Sequence, residues 1–169
     1  EVGSRGLGDV YKRQIESLTP GMAAGAELAF NEASDSGALL GGSTVSSIRA
    51  DSTCIDSAAA ASAAEFLISQ GVTAIMGADC SGVTGAVLSN VAVPNGVPMI
   101  SPSATSPALT TAEDNGLFFR TAPSDARGGE VLADITSDRG ISSVAITYVN
   151  TDYGVGLADV YEAAAIARG

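Results

Sequence analysis

The chain alternates short apolar runs with stretches of helical spacing, and this alternation constrains its fold more than any other feature. Predicted strands begin near residues 44, 72, 97, 118 and 144. Strands that alternate with helices are typical of a parallel sheet, because each crossover returns the chain through a helix packed on one face. The sequence therefore predicts an α/β fold, with a Rossmann-like parallel sheet and helices on both faces.

The stretch Met99–Thr110 is the most informative candidate for a binding site. It leaves the apolar run 97–100 and turns at once into serine and threonine residues, with Pro102 and Pro107 among them. In open α/β sheets, ligands bind beyond the carboxyl ends of the strands, where such a loop would lie. Because the stretch contains no strong acid, base or metal ligand, it is suited to hydrogen-bond a ligand and not to cleave it.

Two further positions are candidates for ligand contact. Ser81 lies at a predicted strand-to-helix turn, where its hydroxyl and the N–H groups of the helix start favour an anion. A plain N-cap serine is the alternative for this position. Tyr153 follows the last predicted strand, over 141–148, where its ring is placed either to stack on a ligand or to form part of a surface turn.

Composition argues against several classes of function. The formal net charge of −11 repels phosphate backbones, which argues against nucleic-acid binding. The sequence contains no histidine, which removes the usual general base and any histidine-based hydrolase triad. Residues 82–85 are glycine-rich but have neither dinucleotide-binding spacing nor a phosphate-loop lysine. We therefore expect a protein that is not an enzyme and that uses no metal and no cofactor.

The sequence has two cysteines, Cys54 and Cys80. Without histidine they are too few for a structural zinc site. A disulfide between them would imply an oxidising compartment. Two separate buried thiols are the alternative.

In their order and spacing, several stretches resemble the amino-acid-binding family of periplasmic solute-binding proteins, the leucine/isoleucine/valine-binding type. The resemblance covers residues 20–169 and rests on Gly25–Ala29, Gly77–Gly82, Ile100–Thr110, Phe119–Asp125 and Asp152–Gly154. It implies a type I periplasmic binding protein, in which two Rossmann-like lobes enclose a ligand in the cleft between them. In this interpretation residues 1–14 are a non-native leader, 15–122 are lobe one without its first strand, and 123–169 are the truncated beginning of lobe two.

The same resemblance implies a site for an amino acid or a similar small solute. The ligand carboxylate would meet the hydroxyls of Ser81 and Thr105 together with backbone N–H groups. The ammonium would meet the Ser103 carbonyl and Thr105, and Tyr153 would cover the ligand from the other lobe. Ala104 belongs to the implied site as well. Cys54 and Cys80 match a disulfide known in the family.

The implied function is extracytoplasmic binding of the solute, in the periplasm or outside the cell. The protein would deliver its ligand to the membrane permease of an ABC-type importer and would be a monomer when complete. The ligand-sensing domain of a receptor or regulator with the same fold is the alternative. An enzyme of the doubly wound class is a third possibility, against which the lack of histidine argues.

Overall fold

The computed structural model describes residues 4–8, by their backbone alone, and residues 19–169. Its strands are short, and they are β1 (Ser4–Gly8), β2 (Val45–Arg49), β3 (Ile75–Met76), β4 (Met99–Ser101) and β5 (Phe118–Arg120). β1 pairs with β2, and β4 pairs with β3 on one side and β5 on the other, all in parallel. β1 also contacts β3. The described strands form a two-stranded sheet, β1–β2, and a three-stranded sheet, β3–β4–β5. The parallel pairing of the predicted α/β fold is confirmed, and within each sheet the carboxyl ends of the strands share one edge.

The helices lie between and after the strands, and they are α1 (Thr19–Asp35), α2 (Ser57–Ser69), α3 (Ser81–Val87), α4 (Val93–Asn95), α5 (Asp125–Asp138) and α6 (Asp152–Arg168). Three of them begin at a side-chain cap. Asp56, Ser124 and Thr151 each accept a hydrogen bond from a backbone N–H two or three residues further on. The cap at Thr151 starts α6 three residues before the predicted Val155, so Tyr153 lies in the first turn of a helix.

The helix that begins at Ser81 continues past its proline. A π-helical turn, Leu88–Ala92, joins α3 to α4. Pro94, inside α4, has no N–H to donate to the carbonyl four residues before it, and π-helical turns accommodate such gaps in the ladder. The helix ends at Gly96, whose φ of 65° places it in the left-handed region.

The core lies between the sheet and the helices α2 and α3. Its largest buried side chains include Leu67, Ile75, Leu88 and Met99. The apolar spacing of α2 predicts an inward stripe that contains Ala63, Phe66 and Leu67. Leu67 is fully buried as predicted, whereas Phe66 is 52% exposed. The buried stripe of α2 instead uses alanines at helical spacing, because small side chains let the helix approach its neighbours closely.

α5 and α6 pack against each other through small residues. Gly129 and Ala133 are the buried positions of α5, and a Cβ at residue 129 would lie 2.6 Å from Val160 Cγ1 of α6. The apolar spacing of this segment predicts that Val131, Leu132 and Ile135 point inward. All three are more than one third exposed, so this prediction is wrong.

One strand prediction differs from the structure. The predicted strand 141–148 has no assigned strand structure, and all of its residues are exposed. A strand is defined by ladder hydrogen bonds to a neighbour, and no described strand lies beside this segment. Conversely, β1 lies within the proposed leader 1–14, whose other residues are outside the described part of the chain. Its sequence, Ser-Arg-Gly-Leu-Gly, has the low strand propensity that gives no signal to sequence analysis.

Candidate functional site

The loops that leave the carboxyl ends of β2, β3 and β4 line a cleft of about 990 Å³. The start of α6 and the segment before it form part of its lining. Four of the implied ligand-binding residues line this cleft although they are far apart along the chain, and they are Ser81, Ser103, Thr105 and Tyr153. Both cysteines line it as well. The structure therefore brings together four of the five implied ligand-binding residues.

Ser81 presents a hydroxyl proton to the cleft. The residue is 4% exposed and is the first residue of α3. Its Oγ accepts a hydrogen bond of 3.1 Å from the Ser106 N–H, and its own proton has no acceptor among residues 4–8 and 19–169. A hydroxyl whose oxygen is already used in this way is best suited to donate to a ligand.

The hydroxyls of Ser103 and Thr105 have the opposite hydrogen-bond polarity to that of Ser81. The Ser103 hydroxyl donates to the Asp79 carbonyl at 2.9 Å, and the Thr105 hydroxyl donates to Asp125 Oδ2 at 2.6 Å. Each hydroxyl has one proton, so both side chains can only accept a hydrogen bond from a ligand. The implied role of Thr105 as a hydroxyl donor to a carboxylate is therefore at odds with this geometry, whereas its role toward an ammonium fits.

Ala104 lies behind the cleft surface. Its side chain is fully buried, its N–H donates to Ser101 Oγ at 3.0 Å, and its carbonyl accepts from Arg120 at 3.3 Å. Both of its backbone polar groups thus have partners within the protein, and it is not among the residues that line the cleft. Its implied contact with a ligand stays a prediction.

Ser101 gives the loop its shape, as expected of a residue at the end of β4. It is fully buried, and its hydroxyl donates to the Ala78 carbonyl at 2.6 Å while accepting from the Ala104 N–H. Thr84 donates to the same Ala78 carbonyl at 3.0 Å. These bonds join the loops that follow β3 and β4, on which Ser81 and Thr105 lie.

Arg120 is the residue that sequence reasoning missed. It ends β5, and its guanidinium donates to the Ala104 carbonyl at 3.3 Å, the Ser106 carbonyl at 2.9 Å and Thr110 Oγ1 at 2.6 Å. An arginine at the end of an apolar run gives no signal of this role, because its three acceptors lie 10 to 16 residues away along the chain.

The start of α6 forms the facing side of the cleft. Tyr153 is 44% exposed there, and the Asp152 carboxylate lies 3.4 Å from where a Cβ on Gly82 would be. The third residue of this motif, Gly154, is required sterically, because a Cβ would overlap the Val149 carbonyl oxygen. Gly156, two residues later, lets α6 approach the loop after β4, with Pro107 Cδ only 3.1 Å from where its Cβ would be.

Cys54 and Cys80 form a disulfide with a Cα–Cα distance of 5.2 Å. It joins the loop after β2 to the N-cap residue of α3, immediately before Ser81. The predicted pairing is confirmed, and the alternative of two separate thiols is wrong.

The charges around the cleft are of one sign. Asp79, Asp125 and Asp152 line it, and no lysine or arginine is among its described lining residues. Over the same described residues, no group of three or more His, Cys, Asp or Glu side chains is placed to hold a metal ion. No helix in that part of the chain is long and apolar enough to cross a membrane.

The sheet, its flanking helices and a cleft at the carboxyl ends of the strands define the fold of a type I periplasmic binding protein. The family model described as "Receptor family ligand binding region" matches residues 21–169, and the chain belongs to this family.

Relatives of the chain include binding proteins from several microbes. It is 38% identical over 106 residues to the Leu/Ile/Val-binding protein homolog 3 of Brucella melitensis, covering 61% of this chain and 28% of that protein. It is 33% identical over 135 residues to BasB, a chemotactic signal transduction system substrate-binding protein of Halobacterium salinarum, covering 76% of this chain and 32% of BasB.

Among solved structures, the chain resembles an ABC transporter substrate-binding protein from Desulfitobacterium hafniense in complex with Leu. The TM-score is 0.77 and the identity 28%, with coverage of 99% of this chain and 48% of that protein. The chain thus spans about half of this solved structure and about a third of its relatives.

Proposed function

We propose that this protein binds a small zwitterionic solute, most simply an amino acid, and belongs to an ABC-type importer. The observation that carries this proposal is the opposite hydrogen-bond polarity of Ser81 and Thr105 in one cleft. Ser81 offers a proton to a carboxylate, and Thr105 offers an oxygen to an ammonium. Charged hydrogen bonds of this kind are about twice as strong as neutral ones.

A second donor for the ligand carboxylate is the Thr105 N–H. It has no acceptor among the described residues, although every other backbone N–H and carbonyl of residues 104–106 has one. A carboxylate that bridges this N–H and the Ser81 hydroxyl would satisfy both donors.

The negative charges of the cleft support an ammonium at the other end of the ligand. Asp125 lies behind Thr105, and Asp79 contributes the carbonyl that holds Ser103. A second carboxylate on the ligand would meet the like charge of Asp79, Asp125 and Asp152, which are the charged residues among the described lining, and this favours ligands with a single carboxylate. Tyr153 is placed to cover the bound ligand.

The importer assignment rests on similarity to an ABC transporter substrate-binding protein and to a Leu/Ile/Val-binding protein homologue. In that role the protein is not an enzyme, works outside the cytoplasm and passes its solute to a membrane permease. The disulfide agrees with such a compartment. Branched-chain amino acids are the first ligands to test.

Thermal unfolding with a panel of amino acids at millimolar concentration tests the proposal. A ligand at 100 times its dissociation constant stabilises the folded state by about 2.7 kcal/mol. We expect leucine, isoleucine or valine to raise the melting temperature, and Ser81→Ala to abolish the shift. Ser89→Ala is the matched control, because Ser89 is exposed and bonds only the Gly85 carbonyl of its own helix. Equal shifts in both variants would contradict the site.

The similarity to BasB favours a second candidate function, in which the protein binds its ligand in the same cleft and then acts on a signal-transducing receptor. The two candidates share the ligand chemistry and differ in the partner. Ligand uptake in cells that carry a cognate permease would favour the importer, whereas a chemotactic response without uptake would favour the receptor.

A further inference from the structure

We infer that Arg120 is the positioning residue for the ligand's carboxylate, acting from behind the loop that follows β4. The inference rests on the proposed function, because it concerns the Thr105 N–H as a carboxylate donor. Arg120 itself is not among the residues that line the cleft, so it would act through the backbone and not by contact.

The guanidinium holds two peptide units of the loop at once. Its Nη1 donates to the carbonyls of Ala104 and Ser106, and its Nη2 donates to Thr110 Oγ1. A planar guanidinium presents its donors in a rigid fork, so the three acceptors are held at mutually constrained positions. The loop between residues 104 and 110 is therefore fixed from one side by one side chain.

The direction of the Thr105 N–H follows from the hydrogen bond between Arg120 and the Ala104 carbonyl. The Ala104 carbonyl and the Thr105 N–H belong to one peptide unit, which is trans. Across a trans peptide the two groups point in opposite directions, so an Ala104 carbonyl that faces Arg120 turns the Thr105 N–H away from it. Rotation of this unit would withdraw the one backbone donor of residues 104–106 that has no acceptor within the described part of the chain.

Arg120 also acts on the other proposed carboxylate donor, which is the Ser81 hydroxyl. The residue whose carbonyl it holds most closely, Ser106 at 2.9 Å, gives its N–H to Ser81 Oγ. That bond occupies the oxygen of Ser81 and leaves its proton for the ligand. Through the Ala104 carbonyl Arg120 orients the Thr105 N–H. Through the Ser106 carbonyl it holds the residue that bonds Ser81, while the peptide unit that carries the Ser106 N–H is held at its own carbonyl by the Asp125 N–H.

Arg120 could instead act only through its positive charge, and substitution by lysine distinguishes this explanation from positioning. A lysine at 120 keeps the positive charge but is a point donor on a flexible stem, and it cannot hold three acceptors in the geometry of the fork. If Arg120 positions the loop, Arg120→Lys and Arg120→Met behave alike. If Arg120 acts only as a distant positive charge, Arg120→Lys behaves like the parent protein.

The first measurement uses the ligand-free chain and its amide ¹H–¹⁵N spectrum. We expect Arg120→Lys and Arg120→Met to shift the amide resonances of residues 104–106 and to raise their mobility. Thr110→Val, which removes one acceptor at the exposed end of the fork, gives a smaller change of the same kind. Arg139→Met, an equal loss of charge at the exposed end of α5, leaves these resonances in place. Unchanged resonances of residues 104–106 in Arg120→Lys would overturn the inference.

The second measurement titrates the same proteins with leucine and with leucinamide, which lacks the carboxylate. The parent protein and Arg139→Met should prefer leucine, and Arg120→Lys should lose about tenfold or more of that preference, the effect of one charged hydrogen bond. A retained preference in Arg120→Lys contradicts positioning. If neither probe binds the parent protein, the proposed function fails, and the ligand-free spectra still decide whether Arg120 orients the loop.

Discussion

The Thr105 hydroxyl donates a hydrogen bond of 2.6 Å to Asp125 Oδ2, and the Asp125 N–H returns one of 3.0 Å to the Thr105 carbonyl. The loop after β4 is thereby tied to the first residue of α5, 20 residues further along the chain. Because the only proton of the hydroxyl is used, Thr105 turns its oxygen toward the cleft. This pair thus links the anchoring of a helix to the polarity of the candidate site.

Thr105→Val should lower the free energy of unfolding by about 1–2 kcal/mol, because the partly buried Asp125 carboxylate loses a hydrogen bond. The backbone bond between the two residues is unaffected. Urea unfolding measures the change. Thr111→Val is the control, since its exposed hydroxyl makes only a 3.4 Å contact with a nearby carbonyl; equal losses in the two variants would deny any special role to Thr105.

Gly129→Ala should destabilise the α5–α6 pair by about 1–3 kcal/mol, because the new methyl group would press on Val160 and on the Tyr161 backbone. The adjacent Gly128→Ala is a matched control, as nothing lies within 4 Å of its Cβ position. We expect Gly128→Ala to stabilise the helix by about 0.5–1 kcal/mol. Urea unfolding followed by circular dichroism compares the two, and effects of the same sign would contradict this packing.

Reduction of the disulfide should lower the free energy of unfolding by roughly 3–4 kcal/mol, the loop-closure value for a separation of 26 residues. The measurement is urea unfolding with and without a thiol-free reductant. A Cys54→Ala, Cys80→Ala double variant should be as unstable as the reduced protein and insensitive to the reductant. If the reductant left the parent protein unchanged, the bridge would contribute nothing to stability.

Arg168 should hold the Asp134 carboxyl ionised to a lower pH than usual. Its guanidinium donates a hydrogen bond of 2.7 Å to Asp134, which lowers the pKa of that carboxyl, and Arg127 adds a weaker coulombic effect. Because the folded-state pKa lies below the unfolded one, the pair stabilises above about pH 4. The contribution is lost as the pH falls through the folded-state pKa.

Carboxyl NMR titration measures this effect directly. Arg168→Gln should raise the pKa of Asp134 toward its ordinary value, and Arg127→Gln should raise it less. Equal shifts in the two variants would mean that long-range charge, and not the hydrogen bond, is responsible.

Local patterns explain why the strand and helix order was predictable. The caps at Asp56 and Ser124, the stop at Gly71 and the apolar runs of β2 to β5 all act within a few residues. The segment 141–148 shows the limit of such patterns. Its alternating apolar residues favour a strand, but a strand forms only where a neighbour supplies hydrogen bonds.

Sequence alone determined which hydroxyls stand at the strand ends, that the two cysteines could pair, and that these 169 residues contain no histidine. Only the tertiary structure decided which of those hydroxyls donate and which accept, since each direction depends on a partner about 20 residues or more away, such as Ser106 for Ser81 and Asp125 for Thr105. The three acceptors of Arg120 could not be predicted for a similar reason, because they lie 10 to 16 residues away along the chain. Residue type sets what a side chain can bond, but its neighbours in space determine which of those bonds remain for a ligand.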